Sequence, residues 1–128
     1  MKTIRVLMVD DHRMFLQGLR SLIEMESDIE VVGECTNGQD AVVAVQRLQP
    51  DVVLLDINMP IMNGWEFLDE YTRLNIDPLN KCKVYIISSS VFSNDINKAR
   101  SYPVVKDFVS KPLNVEKIKE LFAVENHA

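Results

Sequence analysis

Four apolar runs in this chain are nearly unbroken: Ile4 to Val9, Ile29 to Val32, Val52 to Leu55 and Val84 to Ile87. A strand with one wet face alternates polar and apolar residues. A strand that is apolar throughout is buried on both faces, as happens in parallel sheets covered by helices on each side. Phe108-Val109 is a fifth, shorter candidate. Between the runs lie helical spacings: Phe15, Leu19, Leu22 and Ile23; Ala41, Val45 and Leu48; Phe67, Leu68, Tyr71 and Leu74; Val115, Ile118, Leu121 and Phe122. Each sets one apolar stripe against a sheet. The stretch Asn94 to Ser101, where only Ile96 and Ala99 are apolar, predicts a short, exposed helix. The punctuation agrees. Asn37-Gly38 separates the second strand from its helix, Pro50 follows that helix, and Asn114 is placed to cap the last one. The expectation is an α/β fold: a doubly wound, five-stranded parallel sheet with five helices and right-handed crossovers.

At 128 residues the chain has material for one core, so residues 1–128 are expected to form one domain. No internal repeat, low-complexity segment or linker interrupts it, and the longest connection, Asn75 to Lys83, holds Asp77-Pro78. No segment approaches the ~18 apolar residues of a membrane span. The run Ile4 to Val9 is too short, and too soon followed by acids, for a signal peptide. These features predict a cytoplasmic protein without a membrane partner. Cys35 and Cys82 stand apart with no Cys-x-x-Cys or Cys/His cluster, which favours two reduced thiols over a disulfide framework or a zinc site. The net charge is −5 and the basic residues are scattered, so no nucleic-acid surface is expected and an acidic cluster would call for a cation.

In open α/β sheets, ligands sit outside the carboxyl ends of the strands. Here the first run ends in Asp10-Asp11, the third in Asp56 and the fourth in Ser88-Ser89-Ser90, and Lys111-Pro112 follows the fifth. Three carboxylates, a hydroxyl and an ammonium would meet on one rim. Crowded carboxylates raise one another's pKa unless a cation neutralises them, and oxygen-only ligands suit a hard ion such as Mg²⁺. Each element also has an ordinary explanation. Asp10-Asp11 serves as a helix N-cap and first-turn charge, Asp56 as a turn residue, Ser88 to Ser90 as a polar loop and Lys111 as a solvated side chain. Their joint placement at the ends of four strands is what favours chemistry.

The segment Asp56-Ile57-Asn58-Met59-Pro60-Ile61-Met62-Asn63-Gly64 resembles the Asp-x-x-Met-Pro-x-x-x-Gly signature of response-regulator receiver domains. With Asp10-Asp11, Ser88 and Lys111-Pro112 the resemblance spans nearly the whole chain. It implies a flavodoxin-like (βα)5 fold and a two-component signalling switch, not a multi-turnover enzyme. Asp56 would be the phosphoacceptor. Asp11 and Asp56 would bind Mg²⁺ directly with the backbone carbonyl of Asn58, and Asp10 through water. Lys111 would pair with the phosphoryl oxygens and Ser88 would hydrogen-bond one of them. Phe108 matches the family's movable aromatic, although plain core packing explains it as well. A cis Lys111-Pro112 bond is also implied. The implied partners are a sensor histidine kinase or phosphotransfer protein, and a downstream target or an output domain outside this chain; the resemblance also allows a phosphorylation-dependent homodimer.

Three departures stand out. Tyr102-Pro103-Val104-Val105 lies where the family often carries Gly-Ala before the fifth strand. Ser replaces the commoner Thr at position 88 and keeps the hydroxyl. His12 follows the acid pair, as is common in one receiver subgroup, and is not read as a ligand; His127 carries no argument. The chief rival is a Mg²⁺-dependent phosphatase of the haloacid-dehalogenase type, which needs its nucleophile after the first strand and an acid two residues later. Asn58 cannot transfer a proton in that role. A flavodoxin-like electron carrier would need a hydroxyl- or glycine-rich phosphate loop where this chain has Asp-Asp-His-Arg. An interaction module that works without phosphorylation usually lacks part of the constellation, which here is complete.

Overall fold

The computed structural model describes residues 3–79, 81–89, 93–111 and 113–126, without the side chains of 93 and 123–126. Strands and helices alternate: β1 (Ile4–Val9), α1 (Arg13–Glu24), β2 (Ile29–Cys35), α2 (Gly38–Leu48), β3 (Val52–Leu55), α3 (Gly64–Arg73), β4 (Lys83–Ser88), α4 (Ser93–Arg100), β5 (Val105–Ser110) and α5 (Val115–Asn126). All strand pairs are parallel and the order is β2-β1-β3-β4-β5. The chain winds outward from β1 to β2, then reverses through β3 to β5. That reversal opens a crevice beyond the carboxyl ends of β1 and β3.

Successive strand residues point to opposite faces, and the core divides accordingly. On one face Leu7, Val9, Val53, Leu55, Val84 and Ile86 pack with Ala41, Ala44 and Val45 of α2, Phe67, Leu68 and Tyr71 of α3, and Ala99 of α4. On the other, Val6, Met8, Val52, Leu54, Tyr85 and Ile87 pack with Leu16, Leu19 and Ile23 of α1 and Ile118, Leu121 and Phe122 of α5. The continuous runs of β1, β3 and β4 follow from this two-sided burial.

The edge strands differ from expectation. β2 runs on to Cys35 and β5 starts at Val105, because an edge strand tolerates polar residues such as Glu30, Glu34, Lys106 and Asp107, all exposed. Burial on both faces therefore does not hold for Ile29 to Val32, where Glu30 is exposed and Val31 and Val32 are half-buried. The helical stripes shift as well. Leu16 is buried, Phe15 and Leu22 are half-buried, and Leu74 lies beyond α3 as its exposed C-cap. α4 is short and mostly exposed, anchored through Ala99.

The caps explain the element boundaries. The Asn37 side chain accepts from the Asp40 N–H at 2.9 Å and starts α2, while Gln49 in the left-handed region ends it just before Pro50. Asn63 and Glu66 form a reciprocal capping box at α3. The Asn114 side chain accepts from the Lys117 N–H at 2.8 Å and caps α5. The turn before β5 closes through the Val105 N–H to the Tyr102 carbonyl at 3.0 Å, and no residue from 101 to 105 has a positive φ. The missing Gly-Ala is therefore not needed there.

Candidate functional site

Register alone assembles the site. Val9 of β1 pairs with Leu55 of β3, so Asp10 and Asp56 leave the sheet side by side. The Asp56 N–H donates to the Val9 carbonyl at 2.8 Å, and the Asp10 N–H to the Cys35 carbonyl at 2.9 Å. Ser88 pairs with Ser110, and the Lys111 N–H donates to the Ser88 carbonyl at 2.9 Å. The strand-end residues chosen from the sequence thus share one rim.

Asp10, Asp56 and Ser88 are buried, whereas the Asp11 side chain remains 32% exposed and faces the opening. Lys111 Nζ lies 2.6 Å from Asp10 Oδ2 and 4.0 Å from Asp56 Oδ1, so its resting partner is Asp10. Its ammonium also sits 4.2 Å from the centre of the Phe15 ring, a cation–π contact that holds it over the crevice. The Asp56 carboxyl is pushed up to about 6. Burial is the main cause and the neighbouring Asp10 charge adds to it. Lys111 and a backbone hydrogen bond from Asn58 act against them, and Asp11 raises it further. Asp56 Oδ2 is buried and has no hydrogen-bond partner.

Ligand atoms of Asp10, Asp11, His12 and Asp56 all lie within 4.8 Å of one another. Three carboxylates face one ammonium, and one buried oxygen on each of the three makes no hydrogen bond. These residues fit a hard divalent cation by charge and by donor type. Asn58 has an exposed side chain, and its backbone already bonds to Asp56. Phe108 is half-buried on β5, paired with Ile86 and packed on the α2/α3/α4 side. Pro112 lies outside the described residues, and the expected cis bond with it.

Two residues gain a role that the sequence did not supply. Phe15 was placed in the α1 core stripe, yet its ring covers Lys111; the signal available was an aromatic one turn beyond the acid pair. Gly64 closes the loop after Asp56, donating its N–H to the Ile57 carbonyl at 2.8 Å. A Cβ there would lie 2.7 Å from the Asp56 carbonyl oxygen, so only glycine lets α3 start this close to the site.

The chain belongs to the response regulator receiver domain family, which matches residues 6–123. It is 49% identical over 91 residues to the nitrate/nitrite response regulator protein NarL of Escherichia coli, covering 71% of this chain and 40% of NarL. It is 34% identical over 120 residues to the transcriptional regulatory protein BtsR of the same organism, covering 94% of this chain and 47% of BtsR. The chain thus spans less than half the length of these curated relatives. A crystal structure of a two-component response regulator from Cytophaga hutchinsonii superimposes with a TM-score of 0.85 at 30% identity, covering all of both chains. The signal receiver domain of a NarL-type regulator from Mycobacterium tuberculosis gives 0.85 at 25% identity, covering 99% of this chain and 97% of that one. The protein is therefore a receiver domain of the two-component type with a flavodoxin-like fold. The haloacid-dehalogenase reading finds no support, and its required order fails because Asp56 follows the third strand. Among the described residues no helix is long and apolar enough to cross a membrane.

Proposed function

We propose that this domain, residues 1–128, accepts a phosphoryl group on Asp56 from a sensor histidine kinase or phosphotransfer protein, with Mg²⁺ at the acidic rim. The observation that carries the reading is the place of Asp56 within the rim: all three carboxylates have a buried oxygen that makes no hydrogen bond, but Asp10 is held by Lys111 at 2.6 Å and Asp11 is part-exposed, whereas Asp56 is buried at the end of a central strand with the other two acids and the lysine around it. An unpartnered carboxylate oxygen is a nucleophile that needs no donor removed before it reacts. Its lone pair attacks phosphorus in line. A P–O bond forms as the P–N bond of the donor phosphohistidine breaks, and the electron pair leaves on the donor imidazole.

Asp11, Asp56 and the Asn58 carbonyl would hold the ion directly, and Asp10 through water. When bound, the ion supplies positive charge to the phosphoryl oxygens. Lys111, steered by Phe15, moves from Asp10 toward those oxygens, and the Ser88 hydroxyl donates to one of them. Drawing Ser88 inward frees space that Phe108 fills, which alters the face formed by α4, β5 and α5. That face would carry the signal to a downstream protein, to an output domain outside this chain, or to a second phosphorylated copy. Turnover is limited to the domain's own phosphorylation and dephosphorylation.

Intact-mass measurement after incubation with a small acyl phosphate and Mg²⁺ tests the assignment. Wild type should gain one phosphoryl group and Asp56→Asn none. A phosphoryl group retained by Asp56→Asn sinks the reading.

A further inference from the structure

α4 is weakly secured to the rest of the fold: among its described side chains only Ala99 is buried. Its C-terminal end is fastened to α3 instead, by two pairs of residues each spaced four apart. Trp65 and Asp69 share one face of α3. Lys98 and Tyr102 share a face at the end of α4, because the Ser101 and Tyr102 N–H groups donate to the Lys98 and Ala99 carbonyls and carry the winding past Arg100. The rings of Trp65 and Tyr102 stack with their planes 17° apart and their centres 6.1 Å apart. Lys98 Nζ lies 4.8 Å from the centre of the Trp65 ring, and the Tyr102 hydroxyl donates to Asp69 Oδ1 at 2.6 Å.

The two sides of this latch are held unequally. α3 buries Phe67, Leu68 and Tyr71 and starts against the Asp56 carbonyl at Gly64, so Trp65 stands on an element fixed to the phosphoacceptor loop. Tyr102 joins the looser α4 to β5, where the Val105 N–H donates to the Tyr102 carbonyl at 3.0 Å and Phe108 follows on the strand. Trp65, Tyr102 and Phe108 all border the core cluster on the α2 and α3 side of the sheet. Tyr102 also opens the segment Tyr102-Pro103-Val104-Val105, so the contact arises where this chain departs from the family pattern.

We propose that Trp65, Asp69, Lys98 and Tyr102 form an autoinhibitory latch, which holds α4 on α3 in the resting domain and opens when the phosphoryl group is in place. The proposal rests on the phosphoacceptor reading given above. When Phe108 moves toward the space left by Ser88, it leaves the cluster that Trp65 and Tyr102 border, and the packing beneath α4 changes. The latch opposes that shift, since its ring stack, cation–π contact and charge-assisted hydrogen bond are made only while α4 keeps its resting place. A contact made in one state alone biases the equilibrium by its full strength, and a ligand of the other state works against it. Loosening the latch should therefore enlarge the fraction of the domain ready for the phosphoryl group and, by linkage, tighten the binding of a phosphoryl mimic.

Beryllofluoride at fixed Mg²⁺ serves as the mimic, its affinity measured by calorimetry on wild type, Lys98→Ala, Lys98→Arg and Tyr102→Phe. Trp65 is the only tryptophan, so its quenching by acrylamide reports on the latch itself. Lys98→Ala and Tyr102→Phe should each bind beryllofluoride roughly two- to fivefold more tightly, the factor that matches one exposed cation–π contact or one hydrogen bond. Lys98→Arg keeps the cation over the ring and should match wild type. Acrylamide quenching of Trp65 should rise as wild type binds beryllofluoride. Unchanged or weaker affinity in either Lys98→Ala or Tyr102→Phe overturns the proposal. So does tightening in Lys98→Arg equal to that in Lys98→Ala, or Trp65 quenching that stays constant while calorimetry shows wild type binding. Absence of binding to wild type would remove the phosphoacceptor reading, and the latch with it.

Discussion

Replacing Asp56 with asparagine keeps the shape of the side chain and removes its charge, so it isolates what that charge does to the metal-free fold. Burial and the Asp10 carboxylate raise this carboxyl from 3.8 to about 6. The folded protein therefore holds the Asp56 proton more tightly than the unfolded chain does. The associated stability is fully present below about 3.8 and is lost as pH rises through about 6. A shift of about two units corresponds to roughly 3 kcal/mol at neutral pH, and the roughly 1–3 kcal/mol burial cost of the amide itself reduces the net gain to about 0–2 kcal/mol. With an unfolding entropy near 2.1 cal/mol/K per residue, Asp56→Asn should melt up to roughly 7 °C above wild type at pH 7.5 without Mg²⁺. The gap should close or reverse near pH 4, where folded wild type is already protonated and only the burial cost of the amide remains. Excess Mg²⁺ should narrow it at pH 7.5 by stabilising wild type more than the variant. Thermal unfolding followed by circular dichroism, run in parallel on both proteins, reads all three effects. A variant less stable than wild type at pH 7.5, or a gap independent of pH, would refute the electrostatic account.

Gly64→Ala should destabilise the fold by about 1–3 kcal/mol and slow phosphorylation by acyl phosphate, because the added Cβ presses on the Asp56 carbonyl; denaturant melts and intact-mass time courses check it. Asn63→Ala removes the capping box of α3 and should cost about 1 kcal/mol, a fall in Tm of roughly 4 °C. Amide chemical shifts with and without a phosphoryl mimic should change from residue 94 through 122 as well as around Asp56. Changes confined to the loops at Asp56 would rule out the route through Ser88 and Phe108.

How much of this was legible in the sequence depended on burial. β1, β3 and β4 are covered on both faces, so their apolar runs were continuous and their bounds nearly right. β2 and β5 are edges with wet positions at Glu34, Lys106 and Asp107, so the apolar signal ended before the hydrogen bonding did. The rim followed from the same logic, since a residue that ends a central strand is placed by the register of its neighbours. Phe15 escaped because an aromatic in a helical stripe looks like core until the lysine beneath it is seen. The need for Gly64 escaped because a close backbone approach leaves no mark on hydropathy.

The backbone of the sheet is also a partition. Leu54 and Leu55 are neighbours in the chain and never share a packing partner's side of the molecule: one meets α1 and α5, the other α2 and α3. Side chains on opposite faces are separated by a layer of hydrogen-bonded peptide, so their substitutions should add nearly independently. A lineage carrying this domain can remodel the α1 face without disturbing the fit of α2 and α3, and the reverse. Only the rim residues, which leave the sheet at its end, belong to neither compartment, and a change there is felt on both sides at once.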